Sequence, residues 1–153
     1  MYTVLWFYRL GHFFYNKKLY FLSFFISYFI RFFYSCWLPS SAIIGKNFKL
    51  GYGGLGVVIH NNTKIGNNVT ICQNVTIGKN LNDIHVPIIG NDVYIGTGSV
   101  IFGEIFIGNN VIIGSNSLVN INIPDNCTVV GNPCRIIKSN RYYKYYEKII
   151  YDN

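Results

Sequence analysis

"IGNNVTICQNVTIG", residues 65–78, returns to isoleucine at every sixth position and nearly repeats itself. With 3.6 residues per turn, a helix cannot hold such a set on one face, whereas a coil built of short strands can. The rhythm extends well beyond this stretch. Isoleucine occupies positions 59, 65, 71, 77, 89, 95, 101, 107 and 113, Val119 keeps the phase, and Asp83 breaks it. Glycine follows directly at 66, 78, 90, 96, 108 and 114. Four residues after the isoleucines stand small or β-branched side chains: Thr63, Val69, Val75, Val93, Ser99, Ile105, Val111 and Ser117.

If each six-residue unit forms one flat side of a triangular prism, the isoleucine points inward, and a nearby glycine or asparagine accommodates the bend, where positive φ is often needed. Three sides make an eighteen-residue coil. This arithmetic predicts that Ile59, Ile77, Ile95 and Ile113 stack in one column, about 4.8 Å apart as in hydrogen-bonded strands. Between four and five coils fit from about Ser40 to Pro124, and such a solenoid needs its two ends covered. The expected organisation is an aromatic, basic helical segment over residues 1–37, a parallel β-helix over 38–137 and a C-terminal helical tail over 138–153, the outer two serving as caps.

Half of the 153 residues are hydrophobic, so a core is assured and global disorder is excluded. Cys36, Cys72, Cys127 and Cys134 form no CxxC pair and, with no signal peptide evident, are read as thiols in a reducing, cytoplasmic compartment. The net charge of +7 gathers at the ends. Residues 1–36 carry Arg9, Lys17, Lys18 and Arg31 with no acid, and residues 37–134 balance four bases against four acids. The last nineteen residues hold five bases and two acids. Basic ends suit anionic lipid head groups or a phosphorylated ligand, and simple solvated charge is an equal alternative. Nucleic acid is not expected, since the bases form no dense stripe.

Within the first segment the longest uncharged run, Leu19 to Ile30, covers twelve residues. A spanning helix needs about 20 apolar residues. Two short helices broken near Gly11 to Lys18 are therefore expected. Whether they pack on the main domain or lie at the inner face of a membrane stays open.

The [LIV]-G-x-x-[small/V]-x repeat resembles that of the left-handed parallel β-helix acyltransferases. "GGLGVVIHNNTKIGNNVTICQNVTIG" and "VPIIGNDVYIG" are similar to their serine acetyltransferase-like branch, over about residues 38–139. The resemblance implies an all-β, left-handed fold, a homotrimer and acetyl-CoA as co-substrate, with no metal. It departs from the family pattern in two places: serine acetyltransferases carry an Asp-His pair shortly before the stretch that here reads "GVVI", and Gly51-Tyr52 stands there instead. The long helical N-terminal domain of those enzymes is likewise replaced by a short aromatic one. A sugar hydroxyl of a cell-surface polysaccharide or its precursor is therefore the favoured acceptor, and free serine of cysteine biosynthesis is the alternative.

Breaks in the repeat mark candidate chemistry. "GYGGLG" inserts three residues between Leu50 and Ile59, and His60 stands where a small residue is customary. "KNLNDIHVP" interrupts the rhythm between Ile77 and Ile89 and brings Asp83, His85 and Pro87, while "GNPCRIIK" closes the solenoid. His60, one coil below the root of the loop, is the first candidate for a general base and His85 the second; an imidazole of ordinary pKa suits removal of a hydroxyl proton at neutral pH. Backbone amides at a glycine-rich corner would stabilise the oxyanion. Similarity to galactoside acetyltransferase-like sequences near "GxPCRxI" implies that Thr97, Ser115 and Asn120 line the pantetheine arm. The same similarity puts Arg135 and Lys138 near the CoA phosphates, where a fixed cation makes a charge-assisted contact. Two further readings remain open: a zinc lyase of the γ-carbonic anhydrase type, for which His12, His60 and His85 make a thin ligand supply, and a non-catalytic scaffold.

Overall fold

The computed structural model describes residues 3–81 and 84–147. Asp83, which breaks the isoleucine phase, and residues 148–153 of the tail lie outside them.

Two helices, α1 (Thr3–Asn16) and α2 (Tyr20–Tyr34), precede a β-solenoid. The solenoid has three faces. The first carries β1 (Ile43–Ile44), β4 (Lys64–Ile65), β7 (Ile88–Ile89) and β10 (Phe106–Ile107) in that order. The second carries β2 (Lys49–Leu50), β5 (Thr70–Ile71), β8 (Tyr94–Ile95), β11 (Ile112–Ile113) and β13 (Thr128–Val130), and the third β3 (Val58–Ile59), β6 (Thr76–Gly78), β9 (Val100–Phe102) and β12 (Leu118–Val119). These strands pair in parallel with their neighbours one coil away, in register. In most of the two-residue strands the first side chain points outward and the second is buried, as the repeat demands.

The inward isoleucines form the core: Ile59, Ile71, Ile77, Ile95, Ile101, Ile107 and Ile113 are all essentially inaccessible. Burying each such side chain contributes about 1.5–3 kcal/mol. Thr63, Val69, Val75, Val93, Ser99, Val111 and Ser117, the small residues expected inside, are buried with them. Ser99 and Ser117 donate to the Gly114 carbonyl at 2.9 and 2.7 Å. Among the described residues the Thr63 hydroxyl is the one buried side-chain polar group without a hydrogen-bond partner.

The columns differ from the eighteen-residue arithmetic. Ile59 pairs with Ile77, but Ile77 pairs with Ile101, while Ile95 and Ile113 belong to the second face with Leu50 and Ile71. The reason is the loop after Gly78. It projects as an insertion of one unit instead of occupying a side, and every later isoleucine is displaced by six residues.

One corner explains the many asparagines. Between the first and second faces, Asn47, Asn68, Asp92, Asn110 and Asn126 all adopt positive φ. Their side chains bond along the axis, Asn47 Nδ2 to Asn68 Oδ1 at 3.0 Å, Asn68 Nδ2 to Asp92 Oδ1 at 2.8 Å and Asn110 Nδ2 to Asn126 Oδ1 at 2.9 Å. Short polar side chains tolerate the left-handed turn and satisfy each other there.

The caps depart from expectation at one end. The helices break at Lys17–Leu19; Gly11 is a buried contact instead, where an added Cβ would lie 2.3 Å from Ser40 Oγ. The hairpin is held by the Tyr8 hydroxyl, which donates to the Ala42 carbonyl at 2.6 Å, and by Arg9, which donates to the Ile44 and Gly45 carbonyls. At the other end the expected helix is not found among the described residues. β14 (Arg135–Lys138) instead turns back antiparallel to β13, and residues 139–147 run as turns along the asparagine corner. There Arg141 donates to the Asn110 carbonyl, Lys144 meets Asp92 at 3.1 Å, and the Tyr146 hydroxyl donates to Asp92 Oδ1 at 2.7 Å. The tail therefore covers the second face by polar pairing with backbone and carboxylate, a pattern without a helical apolar stripe.

Candidate functional site

The edge between the third and first faces carries two of the irregularities, His60 and the loop after Gly78. His60 directly follows β3, and its backbone N–H donates to the Ile77 carbonyl at 2.9 Å, which sets His60 against Gly78 in the next coil. Gly78 pairs in turn with Phe102, and Asn120, following Val119, completes the column. A Cβ built on Gly78 would meet nothing within 4 Å. The half-buried imidazole therefore stands beside open space on one edge of the prism.

A loop leaves this edge after Gly78. His85, with a side chain 66% exposed, places Nε2 3.9 Å from Glu104 Oε1, two residues beyond Phe102. Such an exposed pair contributes little to stability. It does mark where the loop returns to the column of His60.

A cleft of about 360 Å³ lies between α2 and the first coil. Tyr15, Tyr20, Phe24, Tyr28 and Trp37 supply rings to its wall, and Asn61, next to His60, reaches its rim. Ser23, Ser27 and Ser40 are buried at its floor. Ser27 Oγ bonds Ser40 Oγ at 2.9 Å and donates to the Ser23 carbonyl at 3.1 Å.

The protonation of His60 follows from its neighbours. Its Nδ1 accepts the Asn62 backbone N–H at 3.2 Å. In the neutral ring that places the proton on Nε2, which makes Nε2 a hydrogen-bond donor. As it stands, the ring can donate to a bound oxygen. Accepting a proton requires the ring to give up the Asn62 amide, either by exchanging it for a hydroxyl at Nδ1 or by moving its proton to Nδ1 and freeing Nε2.

The residues expected along the cofactor divide between two edges. Thr97 and Ser115 occupy equivalent positions of successive coils on the edge between the second and third faces, since Ile95 pairs with Ile113. Arg135, exposed and paired with Val130, stands two strands beyond Ser115 near that edge, with β13 between them. Asn120 lies in the His60 column, across the third face. Lys138 pairs with Thr128, at the far end of β13 from Arg135. Thr97, Ser115 and Arg135 thus form one line, and Lys138 is separated from it.

Two features of the surface carry no periodic signal in the sequence. One is the insertion "GYGGLG", which forms a tight turn with Tyr52 at φ 48° and 75% exposed, so Tyr52 occupies the Thr97–Ser115 edge in the first coil. The other is a cleft of about 480 Å³ between the tail and the second face, where Tyr145 bonds Thr70 Oγ1 at 2.7 Å and donates to the Asn68 carbonyl at 2.8 Å. Among the described residues no group of three or more His, Cys, Asp or Glu is placed to hold a metal ion.

No family model matches the chain. Curated relatives do. Over 139 residues it is 41% identical to a protein named serine acetyltransferase from Bacillus pumilus, a match that takes in 89% of this chain and 63% of that protein. It is 35% identical over 137 residues to the serine acetyltransferase of Helicobacter pylori, covering 88% of this chain and 79% of the relative. Among solved structures, a serine acetyltransferase from Brucella abortus, titled as a complex with coenzyme A, superposes with a TM-score of 0.85 at 27% identity. That superposition covers 89% of this chain and 55% of the other. The chain therefore spans less than two thirds of the length of several proteins it resembles.

Proposed function

Because this chain belongs to the hexapeptide-repeat acyltransferases, in their serine acetyltransferase-like branch, we propose that it transfers an acetyl group from acetyl-CoA to a hydroxyl. The observation that carries the proposal is His60 beside the open space over Gly78, at the root of the loop and one residue from Asn61, which reaches the ring-lined cleft.

The acceptor hydroxyl binds against His60 and displaces the Asn62 amide from Nδ1. As the oxygen attacks the thioester carbonyl, Nδ1 takes its proton and the ring is briefly imidazolium. Negative charge grows on the carbonyl oxygen, and backbone amides of the corner stabilise it. The C–S bond breaks, the thiolate leaves, and the proton on the ring is returned to it. His85, on the loop and facing Glu104 beyond β9, orients the acceptor. Thr97 and Ser115 run beside the pantetheine arm and Arg135 pairs with phosphate, while Asn120, in the His60 column, and Lys138, at the far end of β13, stand off that line. Since His60 and the Thr97–Ser115 line stand on different edges, a trimer in which one copy's loop edge faces its neighbour's cofactor edge assembles the complete site.

The names of the relatives put serine ahead of the sugar hydroxyl that the sequence alone favours. A second reading, a sugar acceptor, is supported by the cleft beside His60, whose aromatic rings and serine hydroxyls suit a pyranose, and by Tyr52 in place of the family's histidine. Mass spectrometry after incubation with acetyl-CoA and, separately, serine, nucleotide sugars and glycan fragments decides between them. An O-acetylated product from any of these supports the activity, and its identity names the acceptor. No acetylated product from the whole panel, together with no CoA binding by calorimetry, would leave a scaffold.

A further inference from the structure

Helix α2 is polar on the inside and aromatic on the outside. Its buried stripe is Ser23, Ser27 and Ile30. Its opposite side presents Phe21, Phe25, Tyr28, Phe29 and Phe32 to solvent, Phe21 at 72% and Phe32 at 81% exposure. A helix that sits on a domain in water has the reverse arrangement. The outer face continues over α1 through Trp6 and Phe13, and a groove of about 510 Å³ between the helices is lined by Phe7, Leu10, Phe25, Phe29 and Phe33. A contiguous apolar patch of this kind marks a contact surface.

The charge around the patch selects the partner. Residues 1–36 contain four bases and no acid. Arg9 is committed to the Ile44 and Gly45 carbonyls. The remaining three border the aromatic face: Lys17 and Lys18 at the turn that opens α2, and Arg31 on its flank, 5.6 Å from the Trp37 ring. A second copy docking face to face would set these bases against their own kind. Phospholipid phosphates would neutralise them while acyl chains receive the phenylalanines, and tyrosine and tryptophan favour that boundary. Among the described residues no helix is long and apolar enough to cross a membrane. A 15-residue helix, about 22 Å long, can instead lie flat in the interface.

We propose that the outer face of α2 and the α1–α2 turn form a docking surface for an anionic phospholipid bilayer, which holds the solenoid at the membrane with its coils in water. Co-sedimentation of the full chain with vesicles of equimolar phosphatidylglycerol and phosphatidylcholine, compared with phosphatidylcholine alone, tests this. Binding is expected on the anionic vesicles and is reduced by high salt. Replacing Phe25→Ser together with Phe32→Ser, both exposed, lowers vesicle binding at least about tenfold with an unchanged melting temperature. Reversing Lys17→Glu with Lys18→Glu lowers it by about tenfold or more, and only on anionic lipid. Equal binding of parent and both variants overturns the proposal. So does an absence of vesicle binding accompanied by self-association that the phenylalanine variant dissolves, which would assign the face to a second copy.

Discussion

Two glycines of the solenoid, Gly66 and Gly78, directly follow inward isoleucines, yet the structure sets opposite consequences for adding a methyl group or more. At Gly66 an added Cβ would lie 2.5 Å from the Gly90 carbonyl oxygen and 2.7 Å from Asn91 Oδ1, both belonging to the next coil. Backbone cannot swing aside as a flexible side chain does. The coils must separate locally, straining the Gly66 N–H to Ile89 carbonyl bond, now 2.9 Å, and the Asn67 N–H to Asn91 Oδ1 bond, now 2.8 Å. Overpacking costs about 1–3 kcal/mol, and contact with main chain puts Gly66→Ala at the upper end. At about 2–4 °C per kcal/mol for a chain of this size, its melting temperature falls by roughly 6–12 °C. At Gly78 the same Cβ meets nothing within 4 Å. Gly78→Leu therefore leaves stability within about 0.5 kcal/mol, but fills the space beside His60. Displacing an acceptor by about 1 Å costs roughly 100-fold in kcat/KM. Circular-dichroism melting and a CoA-release assay on the two variants read both effects. A Gly66→Ala protein that melts with the parent would refute the glycine-ladder reasoning, and a fully active Gly78→Leu enzyme would remove the site from this edge.

Three other perturbations follow from single contacts. Thr63→Val replaces a buried hydroxyl that has no partner with a methyl of the same shape and raises stability by about 1–2 kcal/mol in urea titration; a loss would mean that the hydroxyl is satisfied. Burial pushes the Tyr8 hydroxyl up to about 12, against smaller opposing effects of Arg9 and the Ile44 backbone. Because the folded state holds this proton more tightly than the unfolded chain, the contribution is complete below about pH 10 and declines as pH rises towards 12. Alkaline unfolding monitored by aromatic absorbance should lose this component in Tyr8→Phe. For Asp92 burial acts upward, but hydrogen bonds from Tyr146, Asn68 and Lys144, with the charge of Lys144, outweigh it and hold the carboxyl below its usual range. Its contribution is therefore present above the ordinary carboxylate pKa and is lost only as pH falls through the lowered value. Hydrogen exchange over residues 139–147 should quicken in Asp92→Asn at neutral pH and, in the parent, only in strong acid.

How much was legible depended on whether the signal was local. Side-chain alternation and the inward isoleucines read directly, because every coil repeats the same burial requirement. The column assignment failed at one place. Residues 79–87 could be read as a lost side or as an added loop, and only strand pairing between Ile77 and Ile101 decides that. The tail was unreadable for a different reason: Lys144, Tyr145 and Tyr146 are ordered by Asp92, Asn68 and Thr70, more than fifty residues earlier, with no periodicity of their own. At the site, the coincidence of His60 with the loop root was visible as broken rhythm, and the pairing of β3 with β6, with the His60 N–H on the Ile77 carbonyl, sets it beside Gly78. What spacing could not supply was the Asn62 amide on Nδ1, a turn contact that governs where the ring proton sits. The separation of Lys138 from Arg135 was equally hidden, since it depends on β14 reversing direction.

In the proposed reaction His60 handles the acceptor's proton. Thiol release from acetyl-CoA, followed continuously with a chromogenic disulfide in the presence of serine or of the acceptor identified by mass spectrometry, tests it in one comparison. The parent protein should release CoA in an acceptor-dependent way, while His60→Ala, with unchanged melting temperature and unchanged CoA affinity, should be slower by about 100-fold or more. Full acceptor-dependent release by His60→Ala would contradict the account.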